Sequence, residues 1–349
     1  MRICYFGDFK PDYARNRVII RGLQENGVEV LFSNTSLRGF RGFIDLWRKY
    51  RSLKNQHDFV IVGYSDSRFM VPFIKLISGK KIVWDAFYSL YDSWVFDRKL
   101  VRPGSFKARY YWFLDWFSCK LADLILLDTD AHIDYFSKAF GIKDSKFIRV
   151  CVGTDSKVFY PKVIQKTADK FLVHFHGNFI PLQGVEYIIR AAGILKDHNI
   201  QFQIIGGGQD QEKIKKIAAE LGLKNITWID RVAYEELPNY INKADICLGG
   251  FGDTRKANMV SMNKLFEYMA CGKAIINGDS PAVREILTDG ETAIFCVRAS
   301  AQDLANKIIM LKNDRSLLER ISVNARKLFE DKYTPRIIVK KLIEDLSNV

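Results

Sequence analysis

Long apolar runs are what this 349-residue chain most plainly lacks. No stretch approaches the ~18–20 apolar residues that span a bilayer, so no transmembrane helix is expected. The chain enters MRICYFGDF directly, with Gly7 and Asp8 only a few residues in, and shows none of the three regions of a secretory signal. Its six cysteines (Cys4, Cys119, Cys151, Cys247, Cys271 and Cys296) form no C-x-x-C pair, and most sit in apolar runs. Buried free thiols in a reducing cytoplasm account for them better than disulfides or zinc, so a cytoplasmic protein is expected. His174 and His176 are two apart on one strand face, but nothing adjacent supplies a third and fourth ligand, so no metal site is expected. Low-complexity segments and obvious internal repeats are also absent.

What is present is ordinary globular composition, 48% hydrophobic and 27% charged. The length suits two domains. The net charge of +13 is uneven, with +10 over residues 1–165 and +3 over residues 166–349. Such a field attracts phosphates, anionic lipid or nucleic acid, or serves only solubility. No basic–aromatic motif of the nucleic-acid-binding modules occurs, so nucleic acid is not an expected partner.

The first half alternates short apolar runs with helical spacing. Met1–Phe6 reads as a strand ended by Gly7-Asp8, Arg15–Glu25 as a helix stopped by Asn26-Gly27, and Val28–Ser33 as the next strand. Phe59–Gly63, Lys81–Trp84, Leu124–Leu127 and Phe147–Val150 continue the series, the pattern of a doubly wound parallel sheet. The aromatic stretch Ser105–Ala122 is too polar for a membrane span and is expected to be a core helix. The alternation lapses at Tyr160–Lys170 and then restarts with strands at Phe171–Phe175, Phe202–Ile205, Ile226–Ile229, Ile246–Leu248, Ala274–Ile276 and Ala293–Val297. The expected division is one α/β domain over 1–163, a second over 168–332, and a C-terminal segment over 333–349 with an amphipathic helix at 335–346.

Three features of the second half carry chemistry. His176–Glu186 joins a strand to a helix through Gly177 and Gly184, a turn that exposes backbone N–H groups and a helix N-terminus to an anion, or is simply a turn. Gly206-Gly207-Gly208 follows a buried strand and permits positive φ or close approach of a ligand. Ser261–Ile276 reads as a helix ended by Gly272 and feeding a strand, with Lys264 and Glu267 three apart on one helix face. Taken alone, that pair is also what an ordinary surface ion pair looks like.

The run Lys264-Leu265-Phe266-Glu267-Tyr268-Met269-Ala270-Cys271-Gly272 through Ile276 resembles the K-L-x-E-x-M-A-x-G segment of retaining glycosyltransferases of family 4, which have the GT-B fold. His176–Glu186, Gly206–Gly208, Trp228–Val232 with Glu236-Leu237 and Ala244-Asp245, and Val283–Gly290 resemble further family segments in the family's order. The first half is similar only loosely, best at Gly7–Arg15, Leu121–Thr129 and Val150–Phe159. The resemblance implies two Rossmann-like domains facing across a cleft, the C-terminal helix returning to the first. It implies a glycosyltransferase acting with retention, without a metal or other cofactor, in cell-surface polysaccharide, lipopolysaccharide or glycolipid biosynthesis.

The same resemblance implies roles. Glu267 would bind the ribose hydroxyls of a nucleotide-sugar donor, since a carboxylate accepts two hydrogen bonds. Lys264 would neutralise a diphosphate oxygen, helped by backbone N–H groups at Gly184 and at Gly207 and Gly208, and Arg231 and Val232 would flank the base. Leu265 belongs to the same motif. Two departures stand out. Met259 occupies the place of the family's first glutamate, which contacts the donor sugar. Asn178 and Gln183 replace the Arg/Lys pair of the phosphate loop, so the diphosphate needs other cations, with Lys264 first and Arg255 and Lys256 next. Asp85, in Trp84-Asp85-Ala86-Phe87, stands where the family has a histidine. It is expected to take the acceptor's proton or bind sugar, or else to cap a helix.

Phe40–Lys54 places Phe40, Phe43, Ile44, Trp47 and Tyr50 on one helical face and five basic residues elsewhere. The face packs on its own sheet or lies in a membrane interface. In the second case the acceptor is lipid-linked rather than a free glycan, and the protein sits peripherally on the cytoplasmic side of the membrane. A GT-B-fold sugar-nucleotide epimerase and a non-catalytic nucleotide-sugar-binding homologue are the competing readings.

Overall fold

The structure, a computed structural model, describes residues 1–165 and 170–347. It divides into two compact units, Met1–Asp155 with Thr334–Val349, and Ser156–Tyr333. The division precedes the expected boundary at 163. Phe159 is buried and its ring packs on Tyr234 at 4.9 Å, and the Lys162 amide donates to Asn242 Oδ1, so the segment after Asp155 is part of the second unit's packing. The expected gap at 164–167 and the end of the 333–349 segment fall partly on residues 166–169 and 348–349, outside the described residues.

The first unit holds strands β1 (Arg2–Gly7), β2 (Glu29–Asn34), β3 (Phe59–Val62), β4 (Lys81–Asp85), β5 (Leu124–Leu127) and β6 (Phe147–Arg149). They pair in parallel in the order β2-β1-β3-β4-β5-β6. Helices α1 (Ala14–Glu25), α2 (Gly39–Leu53), α3 (Met70–Ile77), α4 (Phe106–Leu121) and α5 (Asp130–Phe140) form the connections. Right-handed crossovers put α1 on one face and α2 to α5 on the other. Leu46, Ile74, Cys119 and Phe136, one from each of the latter four, accordingly share a core with the strands.

Helix α4 is a core helix on one side only: Cys119 lies in the sheet's core with Trp112, Trp116 and Leu121 packed against it, while Phe106 is 86% exposed and Tyr110 and Phe113 are also exposed. Its inward stripe is Ala108, Asp115, Ser118 and Cys119. The buried Asp115 carboxylate meets Arg68 at 3.0 Å and accepts from Ser89, so a satisfied ion pair sits on the inward side beside the tryptophans.

The second unit holds β7 (Phe171–Asn178), α6 (Val185–Ile194), β8 (Ile200–Gly207), α7 (Gln211–Glu220), β9 (Ile226–Ile229), α8 (Leu237–Lys243) and β10 (Ile246–Leu248). It continues with α9 (Asn263–Ala270), β11 (Ala274–Gly278), α10 (Pro281–Arg284), β12 (Ile294–Cys296), α11 (Ala301–Asn313) and α12 (Arg315–Leu328). The parallel sheet runs β9-β8-β7-β10-β11-β12. The chain moves outward from β7 in one direction and then, from β10, in the other. Doubly wound sheets bind ligands beyond the carboxyl ends of the strands at such a reversal. The last helix, α13 (Pro335–Ser347), packs with α1 in the first unit, where Asn26 donates to the Arg336 carbonyl.

β7 runs three residues past the expected Phe175, pairing His176, Gly177 and Asn178 with Ile205, Gly206 and Gly207. A Cβ on Gly206, whose φ is +125°, would lie 2.1 Å from the Gly177 carbonyl oxygen. Glycine there lets the two strands stay flush, and His176 is thereby held on a strand instead of in a turn.

Candidate functional site

The second unit's chemistry collects where β7 and β10 end. Helix α9 brings Lys264 and Glu267 there, both 4% exposed. Leu265, Phe266, Tyr268 and Met269 are fully buried and anchor the helix, which leaves the two charged residues no freedom to swing into solvent. They are not the exposed i,i+3 ion pair that spacing alone allows.

His176 Nε2 lies 2.7 Å from Glu267 Oε2, and His176 Nδ1 lies 2.9 Å from His174 Nε2. Gln203 Nε2 on β8 is 2.8 Å from His174 Nδ1. Among the described residues Glu267 Oε1 has no hydrogen-bond partner. Burial pushes the Glu267 carboxyl up to about 7, against the pull of Lys264. Burial drives the Lys264 ammonium well below its ordinary range, against the pull of Glu267, and drives both imidazoles down, so the histidines are neutral.

The Lys264 ammonium stands 3.7 Å over the Phe175 ring and donates to Gln183 Oε1 at 2.6 Å. Gly177 makes the room: a Cβ there would lie 2.8 Å from Nζ. The Gln183 and Asn178 side-chain amides therefore each hold a basic side chain. Gln183 holds Lys264, and Asn178 Oδ1 accepts from Arg231 at 2.7 Å. Arg231 follows β9 on an exposed loop, so its guanidinium is tied to the end of β7, with half-buried Val232 beside it in sequence. Sequence reasoning treated Asn178 and Gln183 as losses of charge. It named Lys264 as the first replacement cation and set Arg231 at the base, but the pairing of each with an amide was not legible because the partners are 53 and 81 residues apart.

Several expected residues sit differently. The Gly184 N–H donates to the Pro181 carbonyl at 3.1 Å, so it is already occupied. Gly207 is paired with Asn178 in the ladder and its carbonyl accepts from Phe179, whereas Gly208 is exposed just past the strand. Leu265 is fully buried and packs toward Gly249, so its side chain supports the site from behind. Met259 is buried just after the short turn Arg255–Asn258, on which Arg255 is exposed and Lys256 half-buried.

Asp85 is where the structure corrects the sequence most. Its carboxylate is fully buried, and both oxygens are engaged by Arg15 of α1 at 3.1 Å. Arg15 also donates to the Val150 and Cys151 carbonyls. Asp85 is neither a free base nor a helix cap: it is the acidic half of a buried clamp joining α1, β4 and the segment after β6. Among the described residues no cluster of three or more His, Cys, Asp or Glu could hold a metal ion, and no helix is long and apolar enough to cross a membrane.

Residues 156–328, nearly the whole second unit, match the model of the family "Glycosyl transferases group 1". The chain is similar to an uncharacterized glycosyltransferase, MJ1178, of Methanocaldococcus jannaschii, 27% identical over 50% of this chain and 48% of that protein. It is also similar to the lipopolysaccharide core biosynthesis glycosyltransferase LpsD of Rhizobium meliloti, 22% identical over 52% of this chain and 50% of that protein. The chain thus spans about half the length of the curated relatives it matches. Among solved structures, Anabaena HepE in complex with UDP-glucose superposes with a TM-score of 0.74 at 16% identity, covering 100% of both chains. That likeness assigns the fold, two Rossmann-like units of the GT-B kind.

Proposed function

We propose that this chain, whose residues 156–328 match the glycosyl transferases group 1 family, transfers a sugar from a nucleoside-diphosphate sugar to a hydroxyl acceptor. One observation carries the reading: the Glu267 carboxylate is held at the β7/β10 reversal with Oε1 unengaged, Lys264 lies one turn away on the same helix, and Arg231 is tied to Asn178 at the end of β7. A carboxylate oxygen accepts from a ribose diol, and the cations meet the diphosphate. As the sugar–phosphate bond breaks, negative charge grows on the leaving diphosphate. Lys264 stabilises it at that moment. Transfer proceeds with retention, needs no carboxylate nucleophile, and in this reading relies on protein cations rather than a metal. Val232 flanks the base, Gly208 offers its exposed backbone, and Met259 borders the donor sugar. Arg231 serves the phosphates rather than the base.

The acceptor is a glycan or lipid-linked sugar handled by the first unit, in cell-surface polysaccharide or lipopolysaccharide synthesis. A membrane contact on the cytoplasmic side fits α2, where Leu46 and Tyr50 are buried while Phe40 is 78% and Trp47 42% exposed among Arg41, Arg48 and Arg51. The exposed aromatic face of α4, bearing Lys107 and Arg109, extends the same surface chemistry.

Calorimetry with UDP, GDP and dTDP tests the donor site, and incubation of the matching nucleotide sugar with and without acceptor tests the reaction. Sugar transfer supports the reading. Epimerised donor without acceptor, or binding without turnover, replaces it.

A further inference from the structure

Gln203, His174 and His176 end on Glu267 in an unbroken line of short hydrogen bonds, all among buried residues. The proton positions along this line are forced from one end. Gln203 Nε2 also contacts the Tyr240 carbonyl oxygen at 3.3 Å, and a carbonyl only accepts, so the atom facing it is the amide N–H₂. The same nitrogen therefore donates to His174 Nδ1, which must be bare. A neutral imidazole with a bare Nδ1 carries its proton on Nε2, and His174 Nε2 then donates to His176 Nδ1. That leaves His176 with its proton on Nε2, aimed at Glu267 Oε2. The Tyr268 hydroxyl gives its one proton to the Leu248 carbonyl at 3.1 Å and lies 3.3 Å from His176 Nδ1, which takes its hydrogen bond from His174. Burial keeps both rings neutral, so no second proton enters to reverse the order.

We infer that Gln203, His174 and His176 are a one-way donor relay that holds Glu267 as an acceptor, committing Oε2 to the protein and leaving Oε1 for the ligand's vicinal hydroxyls. His176 is a positioning residue, and Gln203 sets its tautomer from two bonds away. The inference rests on the donor-site reading above. The relay opposes what burial does to Glu267, because an N–H aimed at the carboxylate favours its ionised form. Other groups facing or close to Glu267 are Lys264 and Tyr268 on its own helix and Cys271 at that helix's end, with Lys273 further along acting on His174. Removing the first link has a specific consequence. In Gln203→Leu, His174 is free to reverse, His176 follows, and a bare Nε2 then faces Glu267, which must carry a proton to keep the contact.

The first test is ¹⁵N NMR of the histidine rings in the full chain without ligand. The expected result is Nε2–H on both His174 and His176 at pH 7, with reversal in Gln203→Leu. A protonated Nδ1 on either ring of the wild type overturns the relay. The second test is UDP binding from pH 5.5 to 8.5. His176→Phe is expected to bind about tenfold more weakly at pH 7, with its pH midpoint moved upward. His176→Gln, which keeps an amide donor, is expected to recover most of the loss, and Gln203→Leu to shift the midpoint without removing any group near the ligand. Unchanged midpoints in both His176→Phe and Gln203→Leu overturn the proposal. If Glu267→Ala binds UDP as the wild type does, the ribose reading fails, while the NMR result still decides the relay.

Discussion

Arg231 is tied by its guanidinium to the side-chain oxygen of Asn178, 2.7 Å away and on a different strand's end. Neither residue alone marks a phosphate site. Together they put at the carboxyl end of β7 a cation that no acidic side chain pairs with among the described residues. Replacing Arg231 with Met is expected to weaken UDP binding about tenfold, one charge-assisted contact, while leaving affinity for the uridine nucleoside unchanged. Calorimetry with both ligands decides it, and equal losses for the two would return Arg231 to the base.

Lys264 sits deeper, between Gln183 and the Phe175 ring. Lys264→Met keeps the volume and the ring contact. Its expected signature is a kcat lowered about 10²–10³-fold with a smaller change in donor affinity, since the charge it meets grows during bond cleavage. A variant with wild-type kcat would remove Lys264 from the chemistry.

Glu267 is expected to make donor binding pH-dependent near neutrality. Its carboxyl is raised to about 7 by burial, and the ribose needs the ionised form. Uridine affinity should therefore fall as pH drops below about 7 and level off above it, with proton release on binding in the lower range. Titrations in two buffers of different ionisation enthalpy count the protons. Proton uptake with uridine would contradict the assignment.

Asp85 is expected to matter for stability and not as a base. Asp85→Ala leaves the buried Arg15 guanidinium without its acid, a change that costs about 3–5 kcal/mol in other proteins. Thermal or denaturant unfolding should show the loss in the first unit, while UDP binding by the second unit stays intact. Unaltered stability with a collapsed kcat would restore the catalytic reading.

For the surface of the first unit, replacing Phe40, Trp47, Phe106 and Phe113 with Ser is expected to abolish co-sedimentation with phosphatidylglycerol-containing vesicles and leave the fold unchanged by circular dichroism. Vesicles of neutral lipid should bind less, because the basic residues of α2 and α4 supply part of the attraction. Dimer dissociation on the same substitutions, with no lipid binding by the wild type, would assign the face to a second copy instead.

The legible parts of this protein are those whose cause is local. The α9 motif could be read because Lys264 and Glu267 lie three apart on one helix, where side-chain spacing is set by 3.6 residues per turn. The αβ alternation could be read because parallel strands demand apolar runs separated by crossovers. The interior of α4 could not: Asp115 is inside only because Arg68, 47 residues earlier, arrives there to pair with it. The extension of β7 to Asn178 likewise depends on Gly206 lying flush against it.

By itself, then, the order of residues determined which segments are strands and helices, and which short runs carry charge next to glycine. Only the tertiary structure decided that Asp85 is locked to Arg15, that two neutral amides carry the missing cations, and that two histidines stand in line behind Glu267. Those facts are hydrogen bonds between side chains far apart in sequence. Their partners are chosen by how sheets and helices pack, and no local periodicity encodes that choice.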